Sequence, residues 1–256
     1  MKDRVMVIIV SIILALALMV LATQPAHAKE YMGHGTGYFI TDDGVGVSNA
    51  HVADPGKSDP LFNLFVSNLE VVAVINGVKY PIQIIAEDLV NDIVIFKVIG
   101  VEKSKGLPIT ATIPKQGADV MLLGYGINNE ASYASYGVFN TVMKEKMSLQ
   151  QFLTANILMY PGHSGSPLIN NGQVVGTVEG VPVAANSVML GYSLFVPEQV
   201  VVELAKSVNA KIKTISIIES LMFNSLTKIQ QSELVQQSVF PLELYGDVAL
   251  FTIPKG

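Results

Sequence analysis

Short apolar runs broken by polar, glycine-containing turns fill the chain from Gly37 onward. Segments 37–40, 44–48, 71–75, 79–86 and 93–98 have the length and composition of strands. Asp42-Asp43-Gly44 and Asn76-Gly77 lie between them and carry the turn chemistry of hairpins. The polar stretch 101–108 reads as a linker. A second series follows at 119–124, 132–142, 156–160, 167–169, 173–178 and 189–196, with Asn170-Asn171-Gly172 as another tight turn. Two series of short strands joined by a linker predict an all-β fold of two packed barrels, with a cleft between them as the natural site.

After Pro197 the period changes. Proline at a first helical position, followed by Glu198 to Lys206, predicts a helix. A second helix is expected over 216–231. Ile218, Leu221, Met222, Ser225 and Ile229 would then share one face, expected to pack on the barrels rather than on a membrane or a second copy. The tail 240–254 is strand-like, without an assignable place. The resulting division is a leader over 1–28, a first barrel over 29–100, a linker over 101–109, a second barrel over 110–197 and a C-terminal helical extension over 198–256.

The leader changes the picture most. Lys2 and Arg4 precede an apolar run over 5–22, and Ala26-His27-Ala28 supplies a small-x-small end. Those are the parts of a signal peptide cleaved after Ala28. The alternative is an uncleaved anchor, which would hold the protein at a membrane through residues 5–22. Both place the remainder outside the cytoplasm: secreted, periplasmic or membrane-anchored. Of the 256 residues, 50 % are hydrophobic, enough for a large core, and 14 % are charged. The net charge is −5 with no basic patch, which argues against a nucleic-acid partner. There is no cysteine, so disulfides, thiolate-ligated zinc and cysteine nucleophiles are excluded.

The candidate chemistry lies in Tyr160-Pro161-Gly162-His163-Ser164-Gly165-Ser166-Pro167-Leu168. A serine in a glycine-flanked turn is an exposed nucleophile only if a base reaches it and backbone N–H groups face the developing oxyanion. The chain has four histidines. His27 lies in the leader, His34 in the expected flexible start of the mature chain, and His163 adjoins Ser164, so its side chain should diverge. His51, at the end of strand 44–48, is left as the base. Asp92 opens the apolar run 93–98 and is favoured over Asp88 as the acid that orients it. A metal site built from His34, His51 and His163 lacks any close ligand pair at zinc spacing; no metal or cofactor is implied.

Gly35-Thr36-Gly37-Tyr38-Phe39-Ile40, Ser48-Asn49-Ala50-His51-Val52, Asn91-Asp92-Ile93-Val94-Ile95-Phe96-Lys97, the Ser164 motif and Gly191-Tyr192-Ser193-Leu194-Phe195-Val196-Pro197 together resemble the chymotrypsin-fold, trypsin-like serine endopeptidases, and most closely the Deg/HtrA-type branch. The order His, Asp, Ser is the same. The resemblance covers residues 33–200 and implies two six-stranded antiparallel barrels and protein or peptide substrates. It implies Ser164 as nucleophile, His51 as base, Asp92 as its orienting acid, and the Gly162 and Ser164 N–H groups as the oxyanion hole. It places the substrate pocket near Leu158, Thr177, Val178, Glu179, Tyr192 and Ser193. Leu158 on its floor predicts a small or medium apolar residue before the scissile bond. Glu179 is expected at a solvated strand edge, or as a bias on subsite charge. His163 replaces the Asp that trypsin-type zymogens pair with a new N-terminus, Ser166 replaces a glycine, and the 59 residues after Pro197 leave no room for a PDZ domain. The alternative function is a catalytically silent binding or scaffold protein on the same fold.

Overall fold

Both series of strands close into barrels. The computed structural model describes residues 29–126, 131–145, 150–181, 183–184, 187–188 and 191–248. The expected leader over 1–28, and parts of the expected strand 189–196 and tail 240–254, lie outside those residues. The first half of the chain gives β1 (Glu30–Phe39), β2 (Val45–Asn49), three short helical turns α1 (Ala50–Ala53), α2 (Pro55–Ser58) and α3 (Phe62–Phe65), then β3 (Val66–Ile75), β4 (Val78–Asp88) and β5 (Ile93–Val98). The second half gives β6 (Asp119–Tyr125), β7 (Ser132–Lys144), β8 (Gln151–Asn156), β9 (Pro167–Asn170), β10 (Gln173–Gly180), the small pair β11 (Val183–Ala184) and β12 (Ser187–Val188), and β13 (Ser193–Pro197). Helices α4 (Glu198–Ser207), α5 (Ile217–Ser225) and α6 (Lys228–Gln236) follow, and then a last strand, β14 (Val239–Val248).

The barrel orders are β1-β14-β3-β4-β5-β2 and β10-β13-β8-β7-β6-β9, and the pairings within both are antiparallel. At the β3–β4 hairpin, Asn76 and Gly77 have φ of 51° and 78°. Both central positions are thus left-handed, as a twist-matched two-residue turn requires. Strand β5 shows why its sequence is apolar without alternation. Val94, Phe96 and Val98 fill the first barrel, while Ile93 and Ile95 face the seam with Tyr38, Val47, Met121 and Ile169. Leu122, Phe139, Leu153, Leu168 and Phe195 fill the second barrel.

Four expectations change. The extension after Pro197 is not helical throughout: β14 inserts between β1 and β3 and completes the first barrel, with Phe240 and Leu242 in its core. The expected helix over 216–231 is two helices, because Ser216 with Glu219 and Thr227 with Gln230 form separate capping boxes. Its apolar stripe does not pack on the barrels; Ile218, Leu221, Met222 and Ile229 are 63–70 % exposed. Phe223 packs instead against the seam cluster, and Ser220 and Asn224 hydrogen-bond to Asn171 in the β9–β10 turn. The strand expected over 156–160 lies earlier, at β8. The chain leaves the sheet after Asn156, and Ser193 Oγ donates to the Ile157 carbonyl at 2.8 Å instead.

The seam between the barrels contains a buried carboxyl that the sequence does not advertise. Glu198, at the start of α4, accepts from Tyr38 Oη at 3.0 Å and from Thr177 Oγ1 at 3.3 Å. Burial pushes it up to about 8, against the lowering effect of those two hydrogen bonds. A carboxyl raised in the folded state contributes stability that is complete below its unfolded pKa, about 4.5, and is lost as pH rises through about 8. Each pH unit in that window costs about 1.4 kcal/mol for one such group. The expected result is that urea-unfolding free energies of the native protein fall between pH 5 and pH 8. Glu198→Gln should fall less, gaining on the native chain by on the order of 3 to 4 kcal/mol across that range. Parallel slopes would show that Glu198 ionises in the folded state as freely as in water.

Candidate functional site

His51 sits in α1, the single turn that leaves β2. Asn49 is fully buried and donates its side-chain amide to the Asp92 carbonyl at 3.0 Å, and the Ala50 N–H donates to the same oxygen at 3.0 Å. Asp92 stands at the mouth of β5 with φ of 55°, a left-handed conformation that aspartate tolerates better than most residues. The twist aims its carboxylate back at α1. Oδ1 accepts the His51 backbone N–H at 2.8 Å and Oδ2 meets His51 Nδ1 at 2.5 Å. One carboxylate therefore fixes both the main chain and the ring of His51, and leaves Nε2 facing outward. Asp88 is elsewhere engaged, accepting from the Val90 and Asn91 N–H groups in the β4–β5 turn. Partial burial works against the charged imidazole, but the Asp92 hydrogen bond and charge, with the charge of Glu179, hold His51 above its ordinary value.

The Ser164 turn is clamped between β8 and β9. The His163 N–H donates to Tyr160 O at 3.0 Å and the Ser166 N–H to His163 O at 2.9 Å. Strand β1 grips the same turn: Thr36 N–H donates to Ser164 O at 2.8 Å and Thr36 Oγ1 to Gly162 O at 2.9 Å. A side chain on Gly165 would collide with Thr36 O and Ser48 Oγ, and one on Gly35 would meet both the Val52 methyls and Ser164 O. The turn is thus seated against the residues on either side of His51. Gly162 has φ of +95°, which turns the 162–164 peptides so that the Gly162 and Ser164 N–H groups donate to no other group among the described residues. Among the described residues Ser164 Oγ likewise makes no hydrogen bond, His51 included.

His163 diverges from Ser164 as expected. It is fully buried, accepts the Tyr160 N–H at Nδ1 (3.2 Å), and is pushed down to about 4 by burial and by the charge of His34. His34 departs from expectation. It is part of β1, with Nε2 2.6 Å from the Gly126 carbonyl and Nδ1 2.8 Å from Tyr31 Oη.

Three of the residues expected around the substrate pocket share one cavity. Leu158, Tyr192 and Ser193 line a cavity of about 280 Å³ with Ile157, Met159 and Val181. Thr177 and Val178 do not line it: Thr177 turns into the seam to bond Tyr38 and Glu198, and Val178 is in the core of the second barrel. Glu179 also lies outside this cavity, and it is half-buried rather than at a solvated edge. Its Oε2 is buried without a hydrogen-bond partner. Burial first, and the charge of Asp92 second, push the carboxyl up to about 7, with His51 acting the other way. It therefore stands within the electrostatic field of the His51–Asp92 pair. Among the described residues no group of three or more His, Asp or Glu side chains is arranged to hold a metal.

Asn49, Thr36 and Glu198 escape a motif-based reading. Only Thr36 carries a local signal, since a glycine on each side of a strand residue marks close backbone approach.

The chain is similar to known proteins in sequence and in fold. A probable periplasmic serine endoprotease, DegP-like, from Chlamydia pneumoniae is 27 % identical over 172 residues, covering 64 % of this chain and 32 % of the relative. A protein of the same description from Halomonas elongata is 25 % identical over 187 residues, covering 70 % and 36 %. The chain spans about a third of the length of these curated relatives. Among solved structures, the inactive form of Rv3671c from M. tuberculosis H37Rv, with a serine-to-alanine mutation, gives a TM-score of 0.54 at 22 % identity, covering 71 % of this chain and 84 % of that one. At that identity the likeness is one of fold. The trypsin-like peptidase domain pattern matches residues 35–176, more than half of the chain and the whole stretch from β1 through the Ser164 turn into β10. The chain belongs to the trypsin-like peptidase domain family.

Proposed function

We propose that the protein is a serine endopeptidase that hydrolyses peptide bonds through an acyl-enzyme. Ser164 Oγ attacks the scissile carbonyl carbon while its proton passes to His51 Nε2. The carbonyl oxygen becomes an oxyanion that accepts from the Gly162 and Ser164 N–H groups. Collapse breaks the C–N bond, and His51 returns the proton to the leaving amine. Water then attacks the acyl-enzyme by the same route and frees Ser164. Asp92 keeps the His51 proton on Nδ1 and stabilises the imidazolium. The observation that carries this reading is the two-point grip of Asp92 on His51, beside a serine turn that presents two unused N–H donors.

The 280 Å³ cavity walled by Leu158, Met159 and Val181 supports an apolar residue before the scissile bond. Action outside the cytoplasm is supported by the leader-like start of the chain and by the periplasmic description of the relatives. A silent scaffold is the second reading, favoured only by the absent Ser164–His51 hydrogen bond.

A fluorophosphonate probe decides between them, because it bonds to a serine only where a base and an oxyanion hole are assembled. The expected result is a single adduct on Ser164, found by mass spectrometry and abolished by prior heat denaturation. A folded protein that takes no adduct would establish the scaffold reading.

A further inference from the structure

The N-terminal strand does more than close the first barrel. Gly126 and Gly162 approach each other beneath His34: a methyl group on Gly162 would lie 2.6 Å from His34 Nε2 and 2.6 Å from the Tyr125 carbonyl oxygen. Gly162 is the residue whose carbonyl Thr36 holds and whose N–H is unused. The tautomer of His34 follows from its partners. A carbonyl only accepts, so Nε2 carries the proton that bonds Gly126 O, and Nδ1 accepts from Tyr31 Oη. On the other side of Gly126 lies His163, whose Nε2 would be 3.4 Å from a methyl group placed on that glycine. Because the Tyr160 N–H donates to His163 Nδ1, its proton sits on Nε2, buried without a partner. Two imidazoles thus flank the Gly126 backbone, one from the serine turn and one from the N-terminal strand.

We propose that His34 is a positioning residue that holds the 160–165 turn in the form that presents the Gly162 and Ser164 N–H groups to the cleft. The role rests on the serine-peptidase reading of Ser164. His34 touches neither Ser164 nor His51 in any hydrogen bond; it acts by tying Gly126, and through its ring Gly162, to β1. Without it, Gly162 loses the surface it rests on, and the left-handed conformation at that residue has one fewer constraint. Misplacement of an oxyanion donor by about 1 Å is enough to cost on the order of 100-fold in rate.

The test compares His34→Ala, His34→Gln and Tyr31→Phe with the native protein. Glutamine keeps a donor for the Gly126 carbonyl and an acceptor for Tyr31 Oη. His34→Ala is expected to lower kcat on a peptide substrate by about 10- to 100-fold with KM nearly unchanged, and to speed exchange of the His163 N–H. His34→Gln should restore most of both, and Tyr31→Phe should move both in the same direction by less. Equal kcat in His34→Ala and native protein, a change confined to KM, or His34→Gln no better than His34→Ala would overturn the proposal. If His34→Ala does not fold, the other two variants still decide through exchange at His163. If the native protein takes no fluorophosphonate while exchange at His163 still responds to His34, the peptidase reading falls and the brace stands.

Discussion

Asp92→Asn is expected to leave the protein folded and lower kcat about 10,000-fold at neutral pH. Folding survives because the replaced atoms are not those that hold the backbone. The Asp92 carbonyl still accepts from Ala50 N–H and Asn49, and asparagine takes a left-handed φ of 55° as readily as aspartate does. The damage is to the tautomer. Oδ1 must remain on the His51 N–H, which donates and cannot accept. The new amide nitrogen then faces His51 Nδ1, where Oδ2 stood at 2.5 Å. Two donors cannot share that contact, so Nδ1 gives up its proton and the ring carries it on Nε2. An imidazole protonated at Nε2 cannot take the Ser164 proton. Asp92→Asn also removes the charge and hydrogen bond that offset the burial of His51, so the imidazolium of the transition state loses its counterion. Steady-state kinetics on a peptide substrate, with thermal unfolding as the control for fold, measure the loss. A drop of less than about tenfold in a folded variant would mean that Asp92 does not govern the base.

The reach of the sequence follows the range of the interactions involved. Strand β5 is readable because its signal is local: five apolar residues in six, with a carboxylate at the mouth. The Asn76-Gly77 turn was readable because φ above zero selects residue types directly. The pairing of His51 with Asp92 is legible through elimination among four histidines and the carboxylate that opens the apolar run 93–98. What escaped depends on partners distant in sequence. Strand β14 looks like any strand, and nothing local says that it pairs Phe240 with Gly37 and Leu242 with Ala73. Glu198 follows a proline at a helix start, where a carboxylate usually meets solvent and the helix dipole; its burial against Tyr38 of the first barrel and Thr177 of the second is decided by how the barrels meet. The sequence neighbours of Glu179 point to a solvated edge and cannot reveal the field of Asp92. The break between α5 and α6 was in fact written locally, in the Thr227–Gln230 capping box, and the single apolar stripe drawn across it obscured that signal.

Truncation after Gln237 is expected to abolish both folding and fluorophosphonate labelling. The first barrel carries His51 and Asp92, and it closes only when β14 lies between β1 and β3. Val239, Phe240 and Leu242 are each at most 4 % exposed, and the Phe240 ring lies 4.5 Å from that of Phe39. Burial of three such side chains is worth roughly 5–9 kcal/mol, against a net stability of about 5–15 kcal/mol for a typical domain. Removing the strand also leaves the facing edges of β1 and β3 without ladder partners over most of their length. The loss reaches the site through β1, because Thr36 and His34 lie on the strand that β14 pairs, and those residues hold the Ser164 turn. A synthetic peptide spanning 238–248, added to the truncated chain, should restore labelling of Ser164 by completing the barrel through strand addition. Circular dichroism and probe labelling read the two effects separately. A truncated chain that keeps its β-sheet signal and labels at the native rate would show that the first barrel stands without its last strand. If folding and labelling instead return together with the peptide, the site can assemble only after the C-terminal strand is in place, some 200 residues after the β1 strand it pairs with.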